Sequence, residues 1–147
     1  MRIFTIGFTQ KTAEQFFRLL LSNQADALID VRLNNQSQLP GFAKYPDLPF
    51  FLDRIAHIAY VHDIMLAPTE QLLKNYRSKE ISWGEYETEF ETIMKERDID
   101  QYITEHYAGY IDQNICLLCS EPTASQCHRR LIANHFSDLF HSDIIHL

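Results

Sequence analysis

The densest chemistry of the chain lies between Cys116 and Phe136, in the run CLLCSEPTASQCHRRLIANHF. All three cysteines are here, with two arginines and two histidines. Four chemistries compete for such a run: a metal site, a disulfide, a reactive thiol and an anion-binding helix terminus. Cys116, Cys119, Cys127 and His128 offer enough soft ligands for tetrahedral zinc. The spacing argues against it. Cys116 and Cys119 fall in a strand pattern, where residues three apart point to opposite faces, and two leucines separate them instead of turn formers. No metal and no cofactor is therefore expected, and Cys116 reads as a small core residue. An odd cysteine count with no export signal argues against disulfides.

A reactive thiol suits the local pattern better. Ser125 can cap a helix whose first turn would hold Cys127, and a helix N-terminus with Arg129 and Arg130 nearby lowers a thiol pKa. Cys119, at a strand end, faces the same helix; the competing and commoner reading is that both thiols are packed and inert. Arg129 follows Cys119 by ten positions, too far for a phosphatase loop. The same helix terminus, flanked by His128 and Arg129, suits a phosphate or carboxylate. Arg32 can join it from another strand end. The competing structural reading is a buried ion-pair network of Asp30, Arg32, Glu121 and Arg129 that closes the sheet edge. Tyr60 and His62, two apart in a strand, face the same way and form a candidate acid/base pair, with Glu121 a further candidate.

These residues are positioned by an alternating pattern. RIFTIGF reads as a strand, TAEQFFRLLLSN as a helix capped by Thr12, and ADALIDVRL as a strand buried on both faces. Strand, helix and strand make a right-handed βαβ unit. NNQSQLPGFAKYPDLP is a loop, PFFLDRIAHI a short helix and IAYVHDI a third strand. From Thr69 to about Tyr107 the period is helical, with Trp83, Tyr86, Phe90, Ile93 and Met94 as the core stripe. Gly84 and the Arg97-Asp98 region are expected to divide it, and Glu85, Glu87, Glu89 and Glu91 to form a solvated acidic face. NICLLCS is a fourth strand, SQCHRRLIANHFSDLF a helix and SDIIHL a last strand. The pattern predicts one three-layer α/β domain over residues 1–147, with a mainly parallel sheet of about five strands and helices on both faces, Rossmann-like in plan. Gly7-Phe8-Thr9, Asp30-Val31-Arg32, Tyr60, His62 and Cys119-Ser120-Glu121 then gather at the carboxyl ends of the strands, where open α/β sheets bind ligands.

Composition sets limits. A formal net charge of −7 speaks against extended nucleic-acid binding, though not against a phosphate-sized ligand. The longest apolar run, FFRLLL, is broken by Arg18 and far too short for a membrane span. MRIFTIGFTQKT lacks the apolar region and cleavage site of a signal peptide, so the cytoplasm is the expected compartment.

In this order, TIGFT, LIDVR, YVHDIMLAP and CLLCSEPTASQCHRRLIA resemble the domain-of-unknown-function family numbered 488 (DUF488). The resemblance covers nearly the full chain, and LLCSE…CHRRLIA is its specific part. It implies a small cytoplasmic α/β protein and brings no agreed activity. The matching positions are Asp30, Arg32, Tyr60, His62, Cys119, Glu121, Cys127, His128 and Arg129. Where many members have a Gly-His-Ser turn, this chain has Gly7-Phe8-Thr9, and where many have Pro and Arg after DVR it has Asn35 and Gln38.

The expected site thus takes a small anionic ligand, phosphorylated or nucleotide-like, with Arg32, His128 and Arg129 binding the anion. Asp30 and Tyr60 support them. Cys119, Glu121, Cys127 and His62 are the catalytic candidates if the ligand is turned over. The alternatives are a non-catalytic ligand-binding or nucleic-acid-associated module, and a structural ion-pair cluster with no site.

Overall fold

A computed structural model describes residues 1–37, 39 and 41–147, which leaves Gln38 outside the described residues. β1 (Arg2–Gly7) leads into α1 (Ala13–Ser22). Thr12 caps α1 through a reciprocal pair: Gln15 N–H donates to Thr12 Oγ1 at 3.1 Å and Thr12 N–H to Gln15 Oε1 at 2.9 Å. β2 (Ala27–Asp30) is followed by a 3₁₀ turn at Gly41–Ala43 and by α2 (Asp47–Phe51). α2 runs directly into a π-helical turn, Leu52–Ala56, which His57 closes in the left-handed conformation. β3 (Ala59–His62) then precedes three helices, α3 (Glu70–Arg77), α4 (Trp83–Glu96) and α5 (Ile99–Tyr107). β4 (Asn114–Cys119), α6 (His128–Phe140) and β5 (Ile144–His146) complete the chain.

The five strands form one sheet in the order β3-β2-β4-β1-β5, and every pairing is parallel. Parallel strands covered on both faces need apolar side chains in both directions. In β4, Ile115, Leu117 and Cys119 pack on one face against Leu72, Phe90, Leu131 and Phe136. Cys116 and Leu118 pack on the other against Phe16, Leu20, Leu48 and Leu52. The two cysteines therefore lie on opposite faces, as their spacing requires. α1 and α2 cover one face, and α3 to α6 the other. Because β4 inserts between β1 and β2, the loops after β1 and β2 leave toward one face and the loop after β4 toward the other. That divergence opens a crevice at the carboxyl ends of the central strands.

Three local expectations are corrected. The break before α4 falls at Ser78–Ser82, with Lys79 left-handed, and Gly84 lies inside the first turn of α4. Ser82 supplies the start signal there, because its hydroxyl accepts from Glu85 N–H while Glu85 accepts from Ser82 N–H. The acidic face of α4 is also not simply solvated, since Glu87 pairs with Arg130 at 3.4 Å and Glu91 with His135 at 2.9 Å. Finally, α6 begins at His128 with Cys127 as its N-cap residue, so Ser125 is not the cap. Among the described residues, no helix is long and apolar enough to cross a membrane.

Two features of this frame have measurable consequences. Gly7 ends β1 beside Cys119, and a Cβ there would lie 1.6 Å from the backbone oxygen of Glu121. Gly7→Ala must displace main chain, so we expect at least about 1–3 kcal/mol of destabilisation, read as a lower denaturant midpoint. A midpoint equal to that of the wild type would show that the loop yields freely. His135 sits between Asp100 (2.6 Å) and Glu91 (2.9 Å). Burial alone would lower its pKa, but the two carboxylates outweigh that and raise it. A raised folded-state pKa stabilises below the unfolded value near 6.5 and is lost as pH climbs through the folded value. His135→Asn should therefore cost stability at pH 5.5 and little at pH 9, in paired urea titrations.

Candidate functional site

The carboxyl end of β2 carries a buried polar cluster built on Asp30. Asp30 is fully buried and accepts both Nε (2.7 Å) and Nη2 (2.6 Å) of Arg32, a bidentate pair, together with the Arg32 backbone N–H at 3.2 Å. Tyr60 on β3 donates its hydroxyl to the second carboxylate oxygen at 2.7 Å and accepts from Asn35 Nδ2 at 2.9 Å. Burial and the adjacent Asp30 charge push the Tyr60 pKa up, so its proton stays on. One-partner loss from such a buried, charge-assisted cluster is costly. The cluster fixes Arg32 across the end of the sheet, over the Phe8 ring at 5.3 Å, and leaves the buried Nη1 with no partner among the described residues. His62, at the end of β3, donates Nε2–H to the Arg32 carbonyl at 2.7 Å. Tyr60 and His62 thus engage different partners, Asp30 and the Arg32 carbonyl.

The end of β4 holds the sulfur chemistry. Cys119, Cys127 and His128 are all buried, and one ligand-type atom of each lies within 4.8 Å of the others. His128 Nε2 is 2.8 Å from the Val31 carbonyl; a carbonyl can only accept, so this nitrogen bears a proton. Cys119 Sγ is 3.7 Å from Nδ1 and 3.9 Å from Nε2. Those near-equal distances put the sulfur beside the ring instead of on the lone pair of either nitrogen, so this is no aligned thiol–imidazole couple. The Cys119 pKa is lowered chiefly by a hydrogen bond from the Cys127 thiol, helped by the N–H groups of Ser120 and Glu121 and the charge of Arg129, against burial. Cys127 moves the other way, raised by its bond to Cys119, by burial and by the Cys119 charge. Burial pushes the Cys116 thiol up as well. Of the two coupled thiols it is Cys119 whose pKa is lowered, whereas the sequence pattern points to Cys127 inside the first helical turn.

Arg129 takes a different place from the one its spacing suggests. Its side chain is fully buried beneath the loop, where Nη1 donates to the Glu121 carbonyl at 2.6 Å and to Cys127 Sγ at 3.5 Å. Nε reaches Thr5 Oγ1 at 3.4 Å, and Nη2 is buried with no partner among the described residues. Arg129 has no ion pair among the described residues. The four-membered network of Asp30, Arg32, Glu121 and Arg129 accordingly reduces to the Asp30–Arg32 pair, with the Glu121 side chain exposed.

In front of these groups opens a cleft of about 1070 Å³. Arg32, His62, Cys119, Glu121, Cys127 and His128 reach it from the strand ends. The opposite wall is α3 and the start of α4, contributing Lys74, Tyr76, Arg77 and Trp83. None of these four was singled out as a site residue from sequence. Lys74 and Arg77 are three apart on one helical face, exposed, and without an acidic partner among the described residues. Trp83 stacks on Tyr86 at 5.1 Å, and Tyr76 leans on it at 5.9 Å, so the core stripe of α4 continues into the wall of the cleft. The only signal in the sequence was a basic pair at helical spacing, Lys74 and Arg77, in the helical stretch after β3.

A family model described as "Domain of unknown function DUF488" matches residues 12–136. The chain belongs to the DUF488 family. Within this DUF488 domain the matched span contains every strand-end group above except Thr5, Gly7 and Phe8 of the first strand and its loop. No curated protein and no solved structure matches the chain.

The thiol environments set an order of reactivity. In reduced, metal-free native protein, iodoacetamide should label Cys119 first, Cys127 more slowly and Cys116 last, followed by peptide mass spectrometry at neutral pH. Labelling of Cys127 ahead of Cys119 would mean that the proton between them sits on the other sulfur.

Proposed function

We propose that the cleft binds a phosphorylated, nucleotide-like small molecule. The observation that carries this reading is the facing of Arg32 by Lys74 and Arg77, cations that α3 leaves unpaired in a chain of net charge −7. Glu70 and Glu121 share the cleft with these cations, and a phosphate group meets Lys74 and Arg77 there through charge-assisted hydrogen bonds. Arg32 suits the role because Asp30 holds it in one orientation at the back of the cleft, with its buried Nη1 unpartnered among the described residues. Tyr76 and Trp83 offer flat apolar surface beside the cations, as a base or other planar ring requires. The volume suits a ligand larger than a bare anion. His62 and Glu121, at the rim, are the groups within reach for acid–base chemistry on it. The net charge of −7 favours a small ligand over an extended nucleic acid.

A thermal-shift screen of nucleoside phosphates and simple phosphoesters tests this directly, since a ligand bound only by the native state raises Tm. We expect hits among nucleoside phosphates, weakened by added salt. A Lys74→Ala, Arg77→Ala double variant should keep the wild-type Tm without ligand and bind at least tenfold more weakly. Trp83→Ala should weaken nucleoside phosphates more than inorganic phosphate. If no phosphorylated compound shifts Tm at millimolar concentration, or if the double variant binds like wild type, the reading fails.

A further inference from the structure

The sulfur cluster carries an inference that stands apart from the anion reading. We infer that Cys119, Cys127 and His128 form a binding site for one thiophilic divalent cation of the zinc class, with its remaining coordination position open to the cleft. The CLLC pair offers no such site, because Cys116 lies on the opposite face of the sheet. The described residues instead bring together two sulfurs and one imidazole, the three-ligand set of an open tetrahedral site.

The geometry is close to what coordination needs. Metal–sulfur and metal–nitrogen bonds of roughly 2.3 and 2.0–2.1 Å imply ligand–ligand separations of about 3.5–3.8 Å in a tetrahedron. The three atoms already lie within 4.8 Å of one another, so the site must contract by no more than about 1 Å. The second shell is also in place. Metal-bound histidines commonly donate their other ring N–H to a carbonyl, and His128 Nε2–H already does so to Val31. That leaves Nδ1 as the available ligand atom, once the ring turns its lone pair from beside Cys119 toward the sulfurs. Arg129 donates to Cys127 Sγ, an N–H to sulfur contact that leaves other sulfur lone pairs free for a metal.

Charge decides what completes the shell. Two thiolates neutralise a divalent ion. Arg129, buried and without a carboxylate partner among the described residues, adds a positive charge alongside. The fourth ligand is therefore an anion or a water readily replaced by one, drawn from the cleft that Cys119, Cys127 and His128 line.

Cobalt(II) reports this without any activity assay. Full-length protein, reduced and freed of metal by chelation, is titrated with Co²⁺ under nitrogen. We expect one equivalent to give near-ultraviolet sulfur-to-cobalt absorption and intense tetrahedral d–d bands, which Zn²⁺ abolishes. Cys119→Ser, Cys127→Ser and His128→Ala should each weaken Co²⁺ at least tenfold, while Cys116→Ser should leave it unchanged. Inorganic phosphate should shift the d–d bands through the open position. Should a site variant fail to fold, the wild-type chain still decides: Zn²⁺ must protect Cys119 and Cys127, and not Cys116, from alkylation. Weak octahedral spectra without sulfur absorption, an equal loss in Cys116→Ser, or no protection by Zn²⁺ would overturn the site. Bands indifferent to phosphate would overturn its open position. None of these readouts uses a nucleotide, so they stand or fall separately from the phosphorylated-ligand reading.

Discussion

The architecture of this end of the molecule depends on one buried guanidinium. Among the described residues Arg129 has no carboxylate to answer it, and it is held by a backbone carbonyl, a hydroxyl and a sulfur from three different elements. Removing a buried cation from water is expensive, so each of these acceptors is under strong constraint. The Glu121 carbonyl must come down onto it, and only a residue without Cβ at Gly7 leaves room for that approach. The end of β1, the loop after β4 and the start of α6 are thereby locked together. The same cation stands beside the dithiol, where it favours negative charge on sulfur.

Asp30 does for the other half of the cleft what Arg129 does for the sulfur half. Its two oxygens take up Arg32, the Arg32 backbone and Tyr60, and this fastens the loop after β2 to β3. The cleft therefore has a rigid back, made of short strands and buried charge, and a front wall formed by the helical surface of α3 and α4. Side chains on the back are preset. Lys74 and Arg77 on the front are long, exposed and free to adjust to what enters.

Much of this was readable in the sequence, for identifiable reasons. Strands buried on both faces appear as unbroken apolar runs, so RIFTIGF, ALID and NICLLC declared themselves, and the rule for parallel sheets placed the polar residues at their carboxyl ends. The opposite faces of Cys116 and Cys119 followed from a period of two. Gly84 misled because a glycine in a helical pattern usually marks a weak point, whereas the Ser82–Glu85 capping box was the stronger signal. Ser125 misled for a related reason: cap preference identifies residue types, and tertiary contacts choose among neighbours. The grouping of Cys119, Cys127 and His128 depends on how the loop after β4 folds back. Arg129 was assigned to ligand because sequence cannot distinguish a cation facing a cleft from one buried beneath it. Lys74 and Arg77 went unnoticed because they belong to no strand end, and their importance arises only when α3 packs across the crevice.

The sheet also has a bearing on how the protein behaves among its own copies. Its outermost strands are β3, with four residues, and β5, with three. An outer strand presents unsatisfied main-chain donors and acceptors that a neighbouring chain can adopt, and brevity is one means of limiting that template. The long strands, β1 and β4, with six residues each, sit inside and have both sides taken. The arrangement confines the most β-prone segments of the chain to positions where no other molecule can extend the sheet.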